Sequence, residues 1–254
     1  MIKFKRNVFV AMFASVLTLQ ANADVSSLSD NIRIESEKLG YALQYRVYTP
    51  AGYNEADNLP AIYVADGQWY ISSGQMHKEL DKQIKTGAIK PVIAVFVDSQ
   101  NPDNLSENRR NQQFFCNVDY ANFFSDELVP TITSNYKVST SREDRVILGL
   151  SFGGLNSACF GMTATDTFKG IAMQSPAMHP VPELYEAYRD RPTQPIDIFF
   201  SIGTKNDNTR AGRKFKRLLE EKNYELSYKE VPYGHTWRNW KPLLDDVLIH
   251  FFKS

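Results

Sequence analysis

Beyond Pro60, the sequence alternates short apolar runs with longer stretches of helical periodicity. The apolar runs cover residues 61–65, 92–97, 146–150, 170–173, 196–202 and 226–231. The predicted helices cover residues 76–86, 120–135, 154–163, 181–189, 209–222 and 240–252. Apolar runs of this length are typical of parallel strands that are covered by helices on both faces. The sequence therefore predicts an α/β fold with a doubly wound, mostly parallel sheet.

The sheet is expected to begin with an antiparallel pair of strands. Residues 32–37 and 42–48 have strand character, and Gly40 lies in the short connection between them. In a doubly wound sheet, ligands bind beyond the carboxyl ends of the strands. The residues that follow each apolar run are therefore the candidates for a functional site.

The N-terminus has the three regions of a secretory signal peptide. Three basic residues within the first six precede an apolar run over 8–19, which ends in Ala21-Asn22-Ala23. This run is shorter than the roughly 20 residues that a membrane-spanning helix needs. We expect residues 1–23 to be a signal peptide and the mature chain to start near Asp24, which predicts a periplasmic or secreted protein without a membrane span. A retained membrane anchor is the alternative.

Residues 24–254 are expected to form one catalytic domain, since 43% hydrophobic residues suffice for a sizeable core. The 29 basic and 29 acidic residues balance, so no long-range field would attract nucleic acid. The four histidines and two cysteines show no ligand spacing, which argues against a metal site. We therefore predict a small-molecule substrate, no nucleic-acid partner and no cofactor.

The two cysteines, Cys116 and Cys159, leave two interpretations open. Export would place them where a disulfide persists. Cys159, however, lies in a predicted helix beside Ala158 and Phe160, where a buried free thiol is equally natural.

The strongest motif follows the run 146–150. Gly149-Leu150-Ser151-Phe152-Gly153 matches the pattern G-x-S-x-G between a predicted strand and a predicted helix. This arrangement resembles the nucleophile elbow of the α/β-hydrolase fold, in which a sharp turn projects the serine hydroxyl. We therefore predict Ser151 as a catalytic nucleophile; a glycine-rich turn that happens to contain serine is the alternative.

A serine hydroxyl needs an adjacent base to remove its proton. In this fold the nucleophile, the acid and the histidine follow one another in that order along the chain, which excludes His77. His179 precedes Pro180 and His250 lies deep in the last predicted helix, whereas His235 directly follows the last predicted strand. We predict His235 as the general base; a solvated loop histidine is the alternative, and His179, expected on the pocket wall, is the only rival.

The third catalytic residue should be a carboxylate after the run 196–202, because it must orient the imidazole and stabilise its charged form. Asp207 has this position. The alternative is an N-cap of the helix predicted from Thr209, since aspartate is a favoured capping residue.

Ester cleavage also needs two hydrogen-bond donors for the charge that develops on the carbonyl oxygen. The backbone amide of Phe152, which follows the nucleophile, is the first candidate. The second is the amide of Gln68 in Asp66-Gly67-Gln68-Trp69, after the first parallel strand. We predict Phe152 and Gln68 as the oxyanion hole, with Asp66 fixing the loop.

Taken together, these segments resemble the esterase family that contains esterase D, enterochelin esterases, feruloyl and acetylxylan esterases, and mycolyltransferases. The matching segments cover most of the mature chain; they are Tyr48-Thr49-Pro50 with Gly52-Tyr53, 63–69, 91–97, 109–130, the elbow, Gln174-Ser175-Pro176, Gly203-Thr204, and Gly234-His235-Thr236-Trp237 with Trp240. The resemblance implies the α/β-hydrolase fold, ester chemistry, Ser151 and His235 as catalytic residues, and oxyanion donors at Gln68 and Phe152. The position of Asp207 departs from the family pattern, because many relatives have the catalytic acid one residue earlier.

Within this family the enterochelin-esterase-like members are the most similar, through the Asp-Gly-Gln loop and the His-x-Trp ending. Trp69, Tyr70 and Trp237, with Phe152, are predicted to line the pocket and to stack on an aromatic acyl group; core packing is the alternative. The sequence thus predicts an exported serine esterase for siderophore, aromatic or carbohydrate esters. An acyltransferase with the same catalytic residues and a non-catalytic binding protein of the same fold are the alternatives.

Overall fold

The computed structural model describes residues 25–54 and 58–254, so the predicted signal peptide and its cleavage site lie outside the described residues. Within these ranges, a nine-stranded sheet forms the centre of the molecule, and two further strands form a separate hairpin. The strands are β1 (Ser27–Leu28), β2 (Ile32–Ser36), β3 (Tyr41–Thr49), β4 (Ala61–Ala65), β5 (Ile93–Val97), β6 (Gln100–Asn101), β7 (Asn104–Asn108), β8 (Arg145–Leu150), β9 (Gly170–Gln174), β10 (Asp197–Gly203) and β11 (Glu225–Val231).

Helices connect most of the parallel strands. They are α1 (Gly67–Ser72), α2 (Met76–Lys85), α3 (Arg110–Phe114), α4 (Val118–Asn122), α5 (Val129–Tyr136), α6 (Phe152–Thr163), α7 (Glu183–Asp190), α8 (Thr209–Glu221), α9 (Trp237–Trp240) and α10 (Leu244–Phe252). Phe123–Leu128 form a π-helical segment, and Arg142–Asp144 and Lys241–Leu243 form 3-10 turns. Among the described residues, no helix has both the length and the apolar character needed to cross a membrane.

The order of the strands is β1-β3-β5-β4-β8-β9-β10-β11, with β2 also paired to β3. The strands from β5 to β11 in this order pair in parallel, whereas β1, β2 and β5 pair with β3 in antiparallel fashion. The six predicted parallel strands are therefore confirmed, each within one residue of its predicted bounds, as is the antiparallel start. Strand β8 lies between β4 and β9, which places Ser151 near the middle of the sheet edge.

The parallel strands are apolar because both of their faces are covered. Every residue of β4, β5, β8 and β9 is buried. One face packs against α3 to α8 through side chains such as Phe124 and Phe160, and the other packs against α1, α2 and α10 through Val64 and Leu148. The two hydrophobic layers hold the carboxyl ends of the strands, and hence the loops after them, in fixed relative positions.

Two predicted helices are interrupted, and both interruptions lie at prolines. The helix predicted over 120–135 contains the π-helical segment directly before α5, whose second residue is Pro130. The helix predicted from Trp240 is divided by the 3-10 turn that contains Pro242. Proline has no backbone N–H to bond the preceding turn, so the regular i to i−4 hydrogen bonding stops or widens there.

Cys116 and Cys159 form a disulfide that joins the segment after α3 to α6. The sequence left this pairing open, because it does not show that these segments meet. Both cysteines contact the core on the face of α6. The bond closes a loop with a sequence separation of 43 residues beside the helix that begins after Ser151.

We expect the double substitution Cys116→Ala with Cys159→Ala to lower the free energy of unfolding by about 2–4 kcal/mol, because an open chain has more conformations when unfolded. Equilibrium urea unfolding of the oxidised wild type and the variant measures this difference. Reductant should destabilise the wild type and leave the variant unchanged. A loss below about 0.5 kcal/mol would contradict a stabilising role for the bond.

Candidate active site

Ser151 stands between β8 and α6, as the elbow motif requires. Its backbone has φ 57° and ψ −118°, a conformation that L-residues rarely adopt. A Cβ atom at Gly149 would lie 2.2 Å from the carbonyl oxygen of Gly153, so only glycine fits the turn. The turn therefore projects the Ser151 hydroxyl away from the sheet, at the N-terminus of α6.

A continuous chain of hydrogen bonds links the three predicted catalytic residues. His235 Nε2 lies 2.8 Å from Ser151 Oγ, and His235 Nδ1 lies 2.7 Å from Asp207 Oδ1. The side chain of Asp207 is 0% exposed and that of His235 is 34% exposed. This is the geometry of a nucleophile, its base and an orienting carboxylate, with the base open toward solvent.

Asp207 is held by four donors besides His235. Oδ1 accepts from Asn208 N–H, while Oδ2 accepts from Gly203 N–H, from the Ser175 hydroxyl and from the side-chain amide of Asn239. Burial alone would raise the pKa of the Asp207 carboxyl, but the hydrogen bonds, led by those from His235 and Ser175, outweigh it and hold the pKa below its usual range. Asp207 is therefore ionised at neutral pH.

The capping alternative for Asp207 is not supported by these contacts. The N-cap residue of α8 is Asn208, and the carboxylate of Asp207 bonds the amide of that residue and of Gly203 rather than the first amides of the helix.

The loop after β4 approaches the elbow from the neighbouring strand. Asp66 has a left-handed backbone with φ 60°, and α1 begins at Gly67. A Cβ atom at Gly67 would lie 2.4 Å from the carbonyl carbon of Phe96, so glycine is required here to let the loop pass close to β5. This places Gln68 in the first turn of α1, near the end of the strand beside β8.

The side chain of Gln68 fixes the loop to the segment after β5. Its Nε2 donates to Ser99 Oγ at 2.9 Å, and its Oε1 accepts from Ser99 N–H at 3.3 Å. Burial raises the pKa of Asp98, and the backbone N–H of Gln68 is among the groups that oppose this rise. The amide thus faces a carboxylate in this structure, and the roles of Gln68 and Phe152 as oxyanion donors remain predictions.

A model of the family described as "Putative esterase" matches residues 36–251, which include the elbow, Asp207 and His235. The chain belongs to this esterase family. The family predicted from the sequence is thereby confirmed, and so is the α/β-hydrolase fold, which solved esterases share.

Named relatives are esterases, and this chain corresponds to only part of them. An endo-1,4-beta-xylanase/feruloyl esterase from Xylanibacter ruminicola is 26% identical over 230 residues, which are 86% of this chain and 30% of that protein. An iron(III) enterobactin esterase from Yersinia enterocolitica is 23% identical over 141 residues, which are 56% of this chain and 38% of that protein. The chain thus spans about a third of the length of these curated relatives.

A solved enterobactin esterase from Shigella flexneri, determined in the presence of enterobactin, superposes with a TM-score of 0.78. Its sequence is 21% identical, and the superposition covers 87% of this chain and 57% of that one. At this identity the likeness shows a shared fold.

In the present chain, a buried ion pair supports the loop of Gln68. Arg110 Nη2 lies 2.9 Å from Asp66 Oδ2, and Ser99 Oγ donates to Asp66 Oδ1 at 2.7 Å. The side chain of Asp66 is 0% exposed; burial raises the pKa of its carboxyl, and Arg110 and Ser99 oppose the rise. Asp66 therefore fixes the loop, as the sequence predicted, and its partner Arg110 was missed.

Aromatic side chains surround the elbow. Trp69 and Phe152 are half-buried, and the guanidinium carbon of Arg110 lies 5.1 Å and 5.4 Å from their ring centres. Half-buried Trp237 packs edge-on against Tyr70, with ring centres 5.3 Å apart. The prediction that Tyr70 lines the pocket is wrong: Tyr70 is 0% exposed and its hydroxyl bonds Gln174, so it supports Trp237 from the core.

No role was predicted for Ser175 and Asn239, which bond Asp207, or for Trp240, which bonds Ser175. Ser175 follows β9 directly, at the carboxyl end of the strand beside β8. That position was a signal, since polar residues at strand ends in this fold converge on the ligand site, and Ser175 and Trp240 also lie in segments that carry the family resemblance.

Proposed function

We propose that this chain is an exported serine carboxylic-ester hydrolase that acts through an acyl-enzyme on Ser151. The observation that carries the proposal is the chain of hydrogen bonds from Asp207 through His235 to Ser151. Membership of the esterase family and the names of the relatives support ester chemistry.

In the first half-reaction, Ser151 Oγ attacks the ester carbonyl while its proton passes to His235 Nε2. The oxyanion forms opposite the amide at the start of α6, where the helix N-terminus favours negative charge. The imidazolium then protonates the leaving alcohol, and the acyl group stays on Ser151. In the second half-reaction a water molecule, deprotonated by His235, releases the carboxylic acid and restores the hydroxyl of Ser151.

Aromatic esters are the substrate class that the surroundings of Ser151 favour. Phe152 directly follows Ser151, Trp69 lies against the same guanidinium as Phe152, and Trp237 is two residues from His235; all three rings are partly exposed, and such rings stack on aromatic acyl groups. Feruloyl esterase and enterobactin esterase activities appear in the names of the relatives. The acyltransferase alternative shares the acyl-enzyme and differs only in the acceptor, so product analysis with and without added alcohols separates the two.

Hydrolysis of a nitrophenyl ester should fall on acidification, because a protonated histidine can no longer accept the proton of serine. The pKa of Asp207 is held below its usual range, so this carboxylate stays ionised. Protonation of a single group should therefore account for the acidic limb of the pH–rate profile. The measurement is kcat/KM of the mature protein from about pH 8 to pH 5. A flat profile over this interval would contradict a histidine base.

Export is supported by the composition of residues 1–23 and by the disulfide between Cys116 and Cys159, because such bonds are rare in the cytosol. Expression of the full chain in a bacterial host should give a periplasmic or secreted product that begins near Asp24. N-terminal sequencing identifies the product. An intact Met1 on membrane-bound protein would show an anchor instead.

A further inference from the structure

Behind Asp207 lies a buried polar cluster that consists of Ser175, Asn239 and Trp240. Ser175 and Asn239 are 0% exposed and Trp240 is 6% exposed. Ser175 Oγ lies 2.6 Å from Asp207 Oδ2, 3.1 Å from Asn239 Nδ2 and 2.9 Å from Trp240 Nε1. The cluster joins the ends of β9 and β10 to α9.

The position of the hydroxyl proton of Ser175 follows from the chemistry of its neighbours. The indole nitrogen of Trp240 can only donate, so Ser175 Oγ accepts from it. Asp207 Oδ2, at 2.6 Å, can only accept when the carboxyl is ionised. The single proton of Ser175 is therefore directed to Asp207, in a short charge-assisted hydrogen bond.

The orientation of the Asn239 side chain is fixed in the same way. Its Nδ2 lies 3.0 Å from Asp207 Oδ2 and 3.2 Å from the carbonyl oxygen of Gly234. Both neighbours are acceptors, so the nitrogen and not the oxygen of the amide must face them. Asn239 thus donates a second proton to Oδ2, and Gly203 N–H donates a third at 2.6 Å.

Because Oδ2 of Asp207 accepts hydrogen bonds from these three donors, it does not carry a proton itself. Oδ1 already accepts from Asn208 N–H, so its remaining capacity faces His235 Nδ1 at 2.7 Å. The Nδ1 atom must then carry the hydrogen, and the lone pair of the neutral ring lies on Nε2, toward Ser151. We propose that Ser175 and Asn239 are positioning residues, which hold Asp207 in place as the carboxylate that orients His235 and which weaken its attraction for the protonated ring; this rests on the proposed function.

The donors on Asp207 also affect the stability of the protonated form of His235. The donated protons of Ser175 and Asn239 place positive charge beside Asp207, and this weakens the attraction between the carboxylate and a protonated His235. Removing either donor should make the imidazolium more stable, so the acidic limb of the rate profile should move to higher pH. The backbone of Lys205 lies against Gly234, Arg238 follows in α9, and the ion pair of Arg110 with Asp66 lies beside Phe152 and Gly153; none of these charged groups is altered.

Ser175→Ala and Asn239→Leu are the substitutions that test the proposal. Ser175 has a left-handed backbone with φ 47°, so Ser175→Gly removes the hydroxyl and also relieves the backbone. Ser201→Ala is the matched control: Ser201 is buried on neighbouring β10, and its hydroxyl has no hydrogen-bond partner within the part of the chain that the structure describes.

We expect Ser175→Ala, Ser175→Gly and Asn239→Leu each to lower kcat about tenfold, as the loss of a hydrogen bond to a charged group does. KM should stay within about twofold, since no substrate contact changes, and the acidic limb should move to higher pH. Nitrogen NMR of labelled histidine, with His235→Gln to assign the signal, should show the imidazolium form of His235 persisting to higher pH than in the wild type. Ser201→Ala should change none of these.

Unchanged kcat and an unmoved imidazolium transition in folded Ser175→Ala or Ser175→Gly would overturn the proposal, as would an equal loss in Ser201→Ala. A loss of kcat without movement of the acidic limb or of the imidazolium transition would show a merely structural role. The NMR measurement needs no substrate, so it tests the cluster even if the wild type hydrolyses no ester, a result that would refute the proposed function alone.

Discussion

Ser151→Ala is expected to lower kcat/KM for a nitrophenyl ester by at least about 10⁴ while the fold stays intact, because the acyl group then has no atom to which it can bond. The residual rate should reflect binding and oxyanion stabilisation alone. Steady-state hydrolysis by the mature variant measures the loss, and circular dichroism with thermal unfolding checks the fold.

A neighbouring serine provides the control for this experiment. Ser157 lies on α6, which begins directly after Ser151, and is 0% exposed. Its hydroxyl donates a hydrogen bond to the carbonyl oxygen of Gly153. Ser157→Ala should keep most of the activity, since this hydroxyl is bound within the helix. A folded Ser151→Ala protein that keeps even a tenth of the wild-type rate would refute the assignment of the nucleophile.

The parts of the site that could be predicted from the sequence depend on short motifs and on the order of the strands along the chain. The elbow depends on Gly149, two residues before Ser151, because a side chain there would clash with the backbone of Gly153, and this clash is local. His235 follows from the order of the strands, because the loop after the last parallel strand reaches the elbow in this fold. Fold class and strand bounds followed from apolar runs, whose burial on both faces admits few other structures.

The parts that the sequence did not predict depend on contacts between distant segments. Asp207 bonds Ser175 and Asn239, each 32 residues away along the chain, and only the assembled sheet brings these residues together. The disulfide and the ion pair of Arg110 with Asp66 were not predicted for the same reason. Tyr70 was misassigned because an aromatic residue next to a catalytic loop has the same sequence signal whether it faces the opening or the core.

The second large effect is expected from Asp207→Asn, which should lower kcat by up to about 10⁴ by reversing the tautomer of His235. An asparagine has one acceptor oxygen and one donor nitrogen in place of two acceptors. Three donors, from Ser175, Gly203 and Asn239, converge on the position of Oδ2. The oxygen of the new amide must therefore occupy that position.

The amide nitrogen is then forced to the position of Oδ1, where it faces His235 Nδ1 at 2.7 Å. Two donors cannot face each other there, so the imidazole must accept through Nδ1 and carry its hydrogen on Nε2. That hydrogen points at Ser151 Oγ, and the ring can no longer remove the proton of the nucleophile. The loss should appear in kcat, with KM changed little, because the substituted residue is buried away from the substrate.

Asp197→Asn is the matched control, because it changes a second aspartate–histidine pair, at the other end of β10 from the loop of Asp207. Asp197 begins β10 and its Oδ1 lies 2.8 Å from His250 Nε2, at the end of the strand opposite to Asp207. Its amide variant should keep kcat within about twofold, as expected for a partly exposed pair outside the site. If the Asp207→Asn protein folds normally and loses less than about tenfold in kcat, Asp207 is not the acid of a catalytic triad. Catalysis would then depend on Ser151 and His235 alone, with the ring held by packing against Trp240, whose ring centre lies 4.9 Å away.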